Sequence, residues 1–316
     1  MKSIASAPAK IILFGEHFIV YGGKAILCSI NKRITVESEL TDTGHIEIES
    51  QLGKLKISRS RSYRNADSVF RPVVYIAQKM LEKFHSEEGI KIRINAEFPS
   101  GVGLGSSSAC CVAAAGSISG LFESHTREEI LKIAIDAERT IFENTSGADC
   151  TACVYGGILE YSKDGQIRKM ELAPNFELVV ANSGMVHSTS KVVSTVRKFR
   201  DESQEIFSSL CAREEGLIED ALDALQRNDL GRLGKLMADN QELLERIGVS
   251  NDTLNSMIRL AKETSYGAKM TGAGDGGCII ALADKSNLEK TLNAFAGKYE
   301  CFSAKIDTSG LDQRLV

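Results

Sequence analysis

The chain has 316 residues, 43% of them apolar and 25% charged, the balance of a soluble globular protein long enough for two ordinary domains. Its formal net charge of −4 gives no general attraction to nucleic acid or to an anionic membrane, so neither is an expected partner. No apolar stretch reaches transmembrane length, and Ile11-Ile12-Leu13-Phe14 behind Lys2 is too short for a signal-peptide core, which points to a cytoplasmic protein.

Taken in chain order, the first half reads as strand-rich. Ala9 to Phe14 is an apolar run ended by Gly15. Residues 34–39, 45–50 and 54–58 alternate polar and apolar, with turn signals at Asp42-Thr43-Gly44 and Leu52-Gly53, and predict a meander in an antiparallel or mixed sheet. Val69, Val73, Ile76, Met80 and Phe84 recur at helical spacing, and Lys91 to Phe98 alternates as a half-buried strand does. Ala109 to Leu121 is a small, apolar run suited to a buried helix. Another helix is expected over 127–142, with Thr126 as N-cap and Glu129 as capping-box partner.

Residues 162–174 read as a hairpin turn and linker. The second half opens on a buried strand at 177–181 and continues as a helical region from Ser190 to Thr264, broken near Asn228-Asp229 and Gly248. Strands at 266–270 and 278–283, a helix at 288–295 and a strand at 301–306 close the chain. Eight scattered cysteines fit reduced, packed thiols. Cys150-x-x-Cys153 lacks the second pair that a zinc site needs.

Four segments carry chemistry. The central one, Pro99-Ser100-Gly101-Val102-Gly103-Leu104-Gly105-Ser106-Ser107-Ser108-Ala109, joins a strand to a helix start. Backbone N–H groups and the positive end of a helix dipole converge there, as in an anion site. A tight turn whose serines cap the helix explains the loop equally well by itself. It is not a Walker loop, since no Gly-Lys-Ser/Thr closes it.

Near the N-terminus, Lys10 opens an apolar strand, where a charge needs a partner, and Glu16 and His17 follow Gly15 at the strand's end. Glu138 late in a helix and Asp149 after Ser146-Gly147-Ala148 could supply a magnesium ligand and a base, or be an ordinary surface glutamate and turn aspartate. In Lys269-Met270-Thr271-Gly272-Ala273-Gly274-Asp275-Gly276-Gly277-Cys278, four glycines in six positions exceed what a hairpin turn requires.

Three of these segments, in this order and spacing, resemble the GHMP kinase superfamily: Pro8-Ala9-Lys10 through Gly15-Glu16-His17, the loop at 99–108, and Lys269 to Cys278. The match spans nearly the whole chain. Residues 15–23, and more loosely 183–193, resemble the branch of the family that acts on mevalonate; the Asp-Tyr of galactokinases is missing after His17.

The resemblance implies a two-domain α+β fold. A strand-rich domain over 1–170 carries the phosphate loop, a helix-rich α+β domain covers 171–316, and the active site lies in the cleft between them. It implies transfer of the γ-phosphoryl of ATP to the primary hydroxyl of mevalonate, giving 5-phosphomevalonate and ADP, with Mg2+ as cofactor. ATP and mevalonate are the implied partners; a homodimer stays open. Another acceptor within the superfamily (a sugar, homoserine, a different mevalonate hydroxyl) and a catalytically silent ligand-binding relative are the alternatives.

By residue, the resemblance implies Asp149 and Lys10 as catalytic, and Glu16, His17, Ser146, Thr189 and Lys10 as substrate-binding. Pro99, Gly101, Gly103, Leu104, Gly105, Ser106, Ser107, Ser108, Ala109, Gly272 and Gly274 would border ATP, and Ser107 and Glu138 would hold the metal. Two residues depart from the family pattern. Ala9 and Asp275 stand where glycine is usual, and Asp275 is expected either to face solvent or to contact Lys269.

Overall fold

The computed structural model describes residues 2–143, 145–185 and 189–316. Strand β1 (Lys2–Phe14) is followed by a 3₁₀ turn at Phe18–Tyr21, β2 (Lys24–Thr41), β3 (His45–Ser50) and β4 (Gly53–Ser58). Next come α1 (Arg71–Lys83), β5 (Gly89–Ala96), α2 (Ser106–Ser119), α3 (Arg127–Glu138), α4 (Ala148–Tyr155), β6 (Ile158–Ser162) and β7 (Ile167–Lys169). The second half holds β8 (Glu177–Asn182), α5 (Thr189–Glu202), α6 (Gln204–Gln226), α7 (Leu230–Arg246) and α8 (Asp252–Lys262). It ends with β9 (Gly267–Met270), β10 (Cys278–Ala283), α9 (Leu288–Phe295), β11 (Glu300–Ala304) and β12 (Asp312–Leu315).

Two sheets organise these elements. The first runs β12-β1-β2-β5-β3-β4, with β6 also on β2 and β7 on β6; the second runs β11-β8-β10-β9. Only β3 and β5 pair in parallel; the other pairs are antiparallel, so the first sheet is mixed. Helix α2 packs on β1 and β2 and is buried on almost every side from Ser108 to Ser119. Its small residues, Ala109, Ala113, Ala114 and Ala115, let the helix lie close to the strands.

Several elements lie beyond the reach of periodicity. Strand β2 begins at Lys24, ten residues before the alternation starts, because Ala25 to Ile30 are buried on both faces and show no period. Helix α4 is built from Ala148, Cys150, Thr151, Ala152 and Cys153, all buried, so it too has no polar stripe to read. Helix α2 starts at Ser106, inside the expected loop, and α3 stops at Glu138, before Phe142. The long helical region breaks at Ser203 as well as at the two expected places. The capping box of Thr126 and Glu129 forms as its spacing requires.

The last residues return to the first sheet. β12 pairs with β1, Ser3 opposite Leu315, and Ile306 bridges Ile30. Arg33 secures this return: its guanidinium pairs with Asp307 and donates to Gly310 O at 2.7 Å and Ser6 O at 2.9 Å. The eight cysteines are free thiols. Cys150 and Cys153 are wholly buried on α4, and burial pushes both well above the usual thiol range. Among the described residues no helix is long and apolar enough to cross a membrane.

Candidate active site

β12 covers β1 only at Ser3 to Ser6. Beyond that point the outer edge of β1 has no strand partner among the described residues, and the two glycine-rich loops dock there. Lys10 N–H donates to Leu104 O at 3.0 Å. Thr271 Oγ1 accepts Ile12 N–H at 3.1 Å and donates to Ile12 O at 3.0 Å. A bulge at Leu13, where the register with β2 skips a residue, marks the end of this docking edge.

The loops also touch each other. A Cβ on Gly272 would lie 3.2 Å from Gly103 Cα and O, so the absence of a side chain permits backbone-to-backbone approach. Gly105, with φ +71°, lies over the aliphatic stem of Lys10, whose Cγ would be 2.7 Å from a Cβ there. Gly105 is also the N-cap of α2 and offers no side chain to its first-turn amides. Those N–H groups and the helix dipole are left for an anion. Ser106 Oγ accepts Gly101 N–H at 3.4 Å across the loop. Leu104 and Ala109 turn into the core, so their backbones alone can serve a ligand. Pro99 is exposed at the loop's entry, and Ser107 is half-buried in the first turn of α2.

Lys10 is 3% exposed, and its Nζ lies 3.0 Å from Asp149 Oδ2 and 3.4 Å from Gly103 O. Asp149 stands in the first turn of α4, entered through Gly147 at φ +76°. Behind it, Glu138 ends α3 almost fully buried. Its carboxylate accepts the Ser108 hydroxyl on one oxygen and Thr145 Oγ1 at 2.5 Å on the other. Burial, and next the charge of Asp149, push the Glu138 carboxyl above its usual range. Tyr161 on β6 donates to Ser146 O at 2.7 Å and steadies the 145–149 turn; the Ser146 side chain is exposed.

His17 adopts φ +62°, and its Nε2 lies 2.7 Å from Ala273 O. Burial lowers the His17 pKa, so the ring is neutral, and only an Nε2–H tautomer satisfies that carbonyl. Glu16 is wholly buried and paired with Lys269, whose Nζ also donates to Met270 O at 2.8 Å. Lys269 thus meets Glu16, while Asp275 sits half-buried at φ +56° with its N–H on Val249 O at 2.7 Å. Ala9 is accommodated inside the core. Gly274 packs its backbone on Val249. Thr189 is exposed at the first residue of α5; Val186, His187 and Ser188, part of the segment read at 183–193, lie outside the described residues.

The hydroxyls of Ser108 and Thr145 on Glu138, the Thr271 clip and the Glu16–Lys269 pair were not legible as sites. Lys269 and Thr271 lay inside a quoted motif, whereas Thr145 had no signal.

The geometry brings two glycine-rich loops together beside a lysine–aspartate pair. The model for the GHMP kinases N terminal domain matches residues 71–157, and that for the GHMP kinases C terminal matches 221–301. The chain belongs to the GHMP kinase family. The mevalonate kinase of Thermococcus sibiricus is 35% identical over 308 residues, 92% of this chain and 91% of that protein. The crystal structure of Methanococcus jannaschii mevalonate kinase superposes with a TM-score of 0.85 at 26% identity, covering 96% of this chain and 98% of that one. The crystal structure of L. major mevalonate kinase in complex with R-mevalonate superposes with a TM-score of 0.81 at 27% identity, over 96% of both chains.

Proposed function

We propose that this chain transfers the γ-phosphoryl group of ATP to the primary hydroxyl of mevalonate, giving 5-phosphomevalonate and ADP. The observation that carries the reading is the Lys10–Asp149 pair at 3.0 Å beside the uncapped start of α2. The cleft is taken to lie between units 1–170 and 171–316.

The donor set fits magnesium. Glu138 is a buried carboxylate held by two hydroxyls and raised in pKa by burial and by Asp149, a state that a cation relieves. Glu138 and the Ser107 hydroxyl would hold the ion, while Ser108 and Thr145 orient the carboxylate. Bound magnesium supplies neutralisation of charge on the transferring phosphoryl group.

The remaining work is alignment. Amides of residues 103–108 hold the phosphates, and Gly272 and Gly274 close the opposite side. Asp149 orients the acceptor hydroxyl and takes its proton; Lys10 stabilises the developing alkoxide and holds Asp149 in place. His17, fixed through Nε2, presents Nδ1 to the substrate, and Ser146 and Thr189 offer exposed hydroxyls. Glu16, anchored in the core by Lys269, serves the substrate side by fixing the backbone that leads into His17.

ADP release with mevalonate, galactose or homoserine, followed by phosphorus NMR of the product, tests the reading. A primary phosphate ester formed from mevalonate alone is expected; turnover of another acceptor instead would refute it. Glu138→Gln should raise the magnesium concentration needed for half-maximal rate by about tenfold or more. A titration that overlays the parent's would remove Glu138 from the metal site.

A further inference from the structure

The buried pair of Glu16 and Lys269 has a third member on a helix without any motif. Glu214, in the middle of α6, is 1% exposed. Its Oε1 accepts the N–H of Gly15 at 2.8 Å, and its Oε2 accepts Asn240 Nδ2 from α7 at 2.6 Å. Burying a carboxylate costs several kcal/mol that an apolar side chain would avoid. The bond to Gly15 gives that cost a purpose.

Gly15 follows β1 directly, with φ +98°, and a Cβ there would collide with Ala25. Its buried N–H therefore takes an acceptor from outside the sheet. Gly15 lies five residues after Lys10 and two before His17. The residue after Asn240 reaches the other loop, since Gln241 Oε1 accepts Met270 N–H at 2.9 Å. Thr271, next in the chain, clips Ile12. Helices α6 and α7 thus grip the catalytic strand at Gly15 and the second glycine turn at Met270.

We infer that Glu214 is a positioning residue for phosphoryl transfer, fixing the end of β1 so that Lys10 and His17 stay in register with the 271–277 turn. It acts through Gly15 without touching either substrate, and the inference rests on the function proposed above.

The charged and titratable groups around it are Glu16 from the loop after β1, Lys269 from β9 and Cys211 on its own helix; α7 presents the neutral Asn240. Burial, then the charge of Glu16, push the Glu214 carboxyl up to about 7. Protonation below that pH leaves one oxygen to accept Gly15 N–H and gives the other a proton to donate to Asn240 Oδ1 once that amide turns, so the grip survives as pH falls. Stability does respond to pH. Between the ordinary value of 4.5 and about 7 the native state keeps a proton that the unfolded chain has lost. Stability on this group's account therefore falls as pH rises through that window and is level above it. A kcat that falls when the acceptor is removed and is kept by glutamine is a signature that mere packing does not produce.

The test compares the parent chain with Glu214→Gln and Glu214→Leu, measuring ADP release on mevalonate from pH 6 to 8 alongside thermal unfolding. Glutamine keeps an acceptor for Gly15 and lets Asn240 turn its unpartnered Oδ1 toward the new amide. Glu214→Gln should stay within about threefold of the parent from pH 6 to 8 and lose the stability slope that Glu214 contributes. Glu214→Leu, if folded, should lose about tenfold or more in kcat with little change in either KM. A folded leucine variant with parental kcat, or a folded glutamine variant that loses about tenfold or more in kcat, overturns the inference. Should the leucine variant not fold, the glutamine comparison decides alone. A parent inactive on mevalonate refutes the proposed function instead, and the comparison then runs on the acceptor it does phosphorylate.

Discussion

Asp149→Ala is expected to lower turnover on mevalonate by about 10²–10⁴-fold, the range associated with losing a positioned proton acceptor. Nucleotide affinity should hold, because the proposed phosphate cradle uses the backbone of residues 103–108 and the start of α2, not Asp149. The Asp149 side chain is 34% exposed against 4% for Lys10, so the aspartate reaches solvent while the lysine is held behind it. Alanine also strands Lys10, leaving its ammonium, among the described residues, only the distant Gly103 carbonyl. Asp149→Asn separates the two effects, since it keeps the side chain's volume and one acceptor oxygen. If both variants bind nucleotide normally and fall in kcat by similar factors, the lost charge is responsible. Near-parental turnover in either would remove Asp149 from its role.

The largest effect on stability is expected from Lys269→Met. Lys269 and Glu16 are both fully buried, and Glu16 Oε2 has no hydrogen-bond partner among the described residues. Burial already pushes the Glu16 carboxyl up against the pull of Lys269. Removing the lysine leaves a buried carboxyl uncompensated, at a cost of about 3–5 kcal/mol. Glu214 adds to the burden, because its own charge opposes that of Glu16. The double variant Glu16→Leu/Lys269→Met should recover much of the loss, as buried ion pairs replaced by apolar groups generally do. Urea unfolding of the parent, both single variants and the double variant measures the coupling directly. An unchanged midpoint for Lys269→Met would mean that Glu16 finds another donor.

What the sequence determined by itself was local. Alternation marked β3, β5 and part of β2, spacing marked α1, and Thr126 with Glu129 marked the start of α3. The glycine loops were legible because left-handed φ values favour glycine and close backbone approach demands it. Lys10, Glu138 and Asp149 were singled out by residue type and neighbourhood.

The tertiary structure alone decided which of these residues meet. Lys10 and Asp149 are 139 positions apart, and Lys269 and Glu16 are 253 apart, distances at which no periodicity carries information. The same holds for the choice of Glu16 over Asp275 as the partner of Lys269, and for the bond from Glu214 to Gly15. Segments buried on nearly every side, such as α4 and residues 25–30, stayed unreadable for a related reason. A pattern exists only where a continuous face meets water; residues 25–30 have none, and α4 shows water little beyond Asp149 and Tyr155.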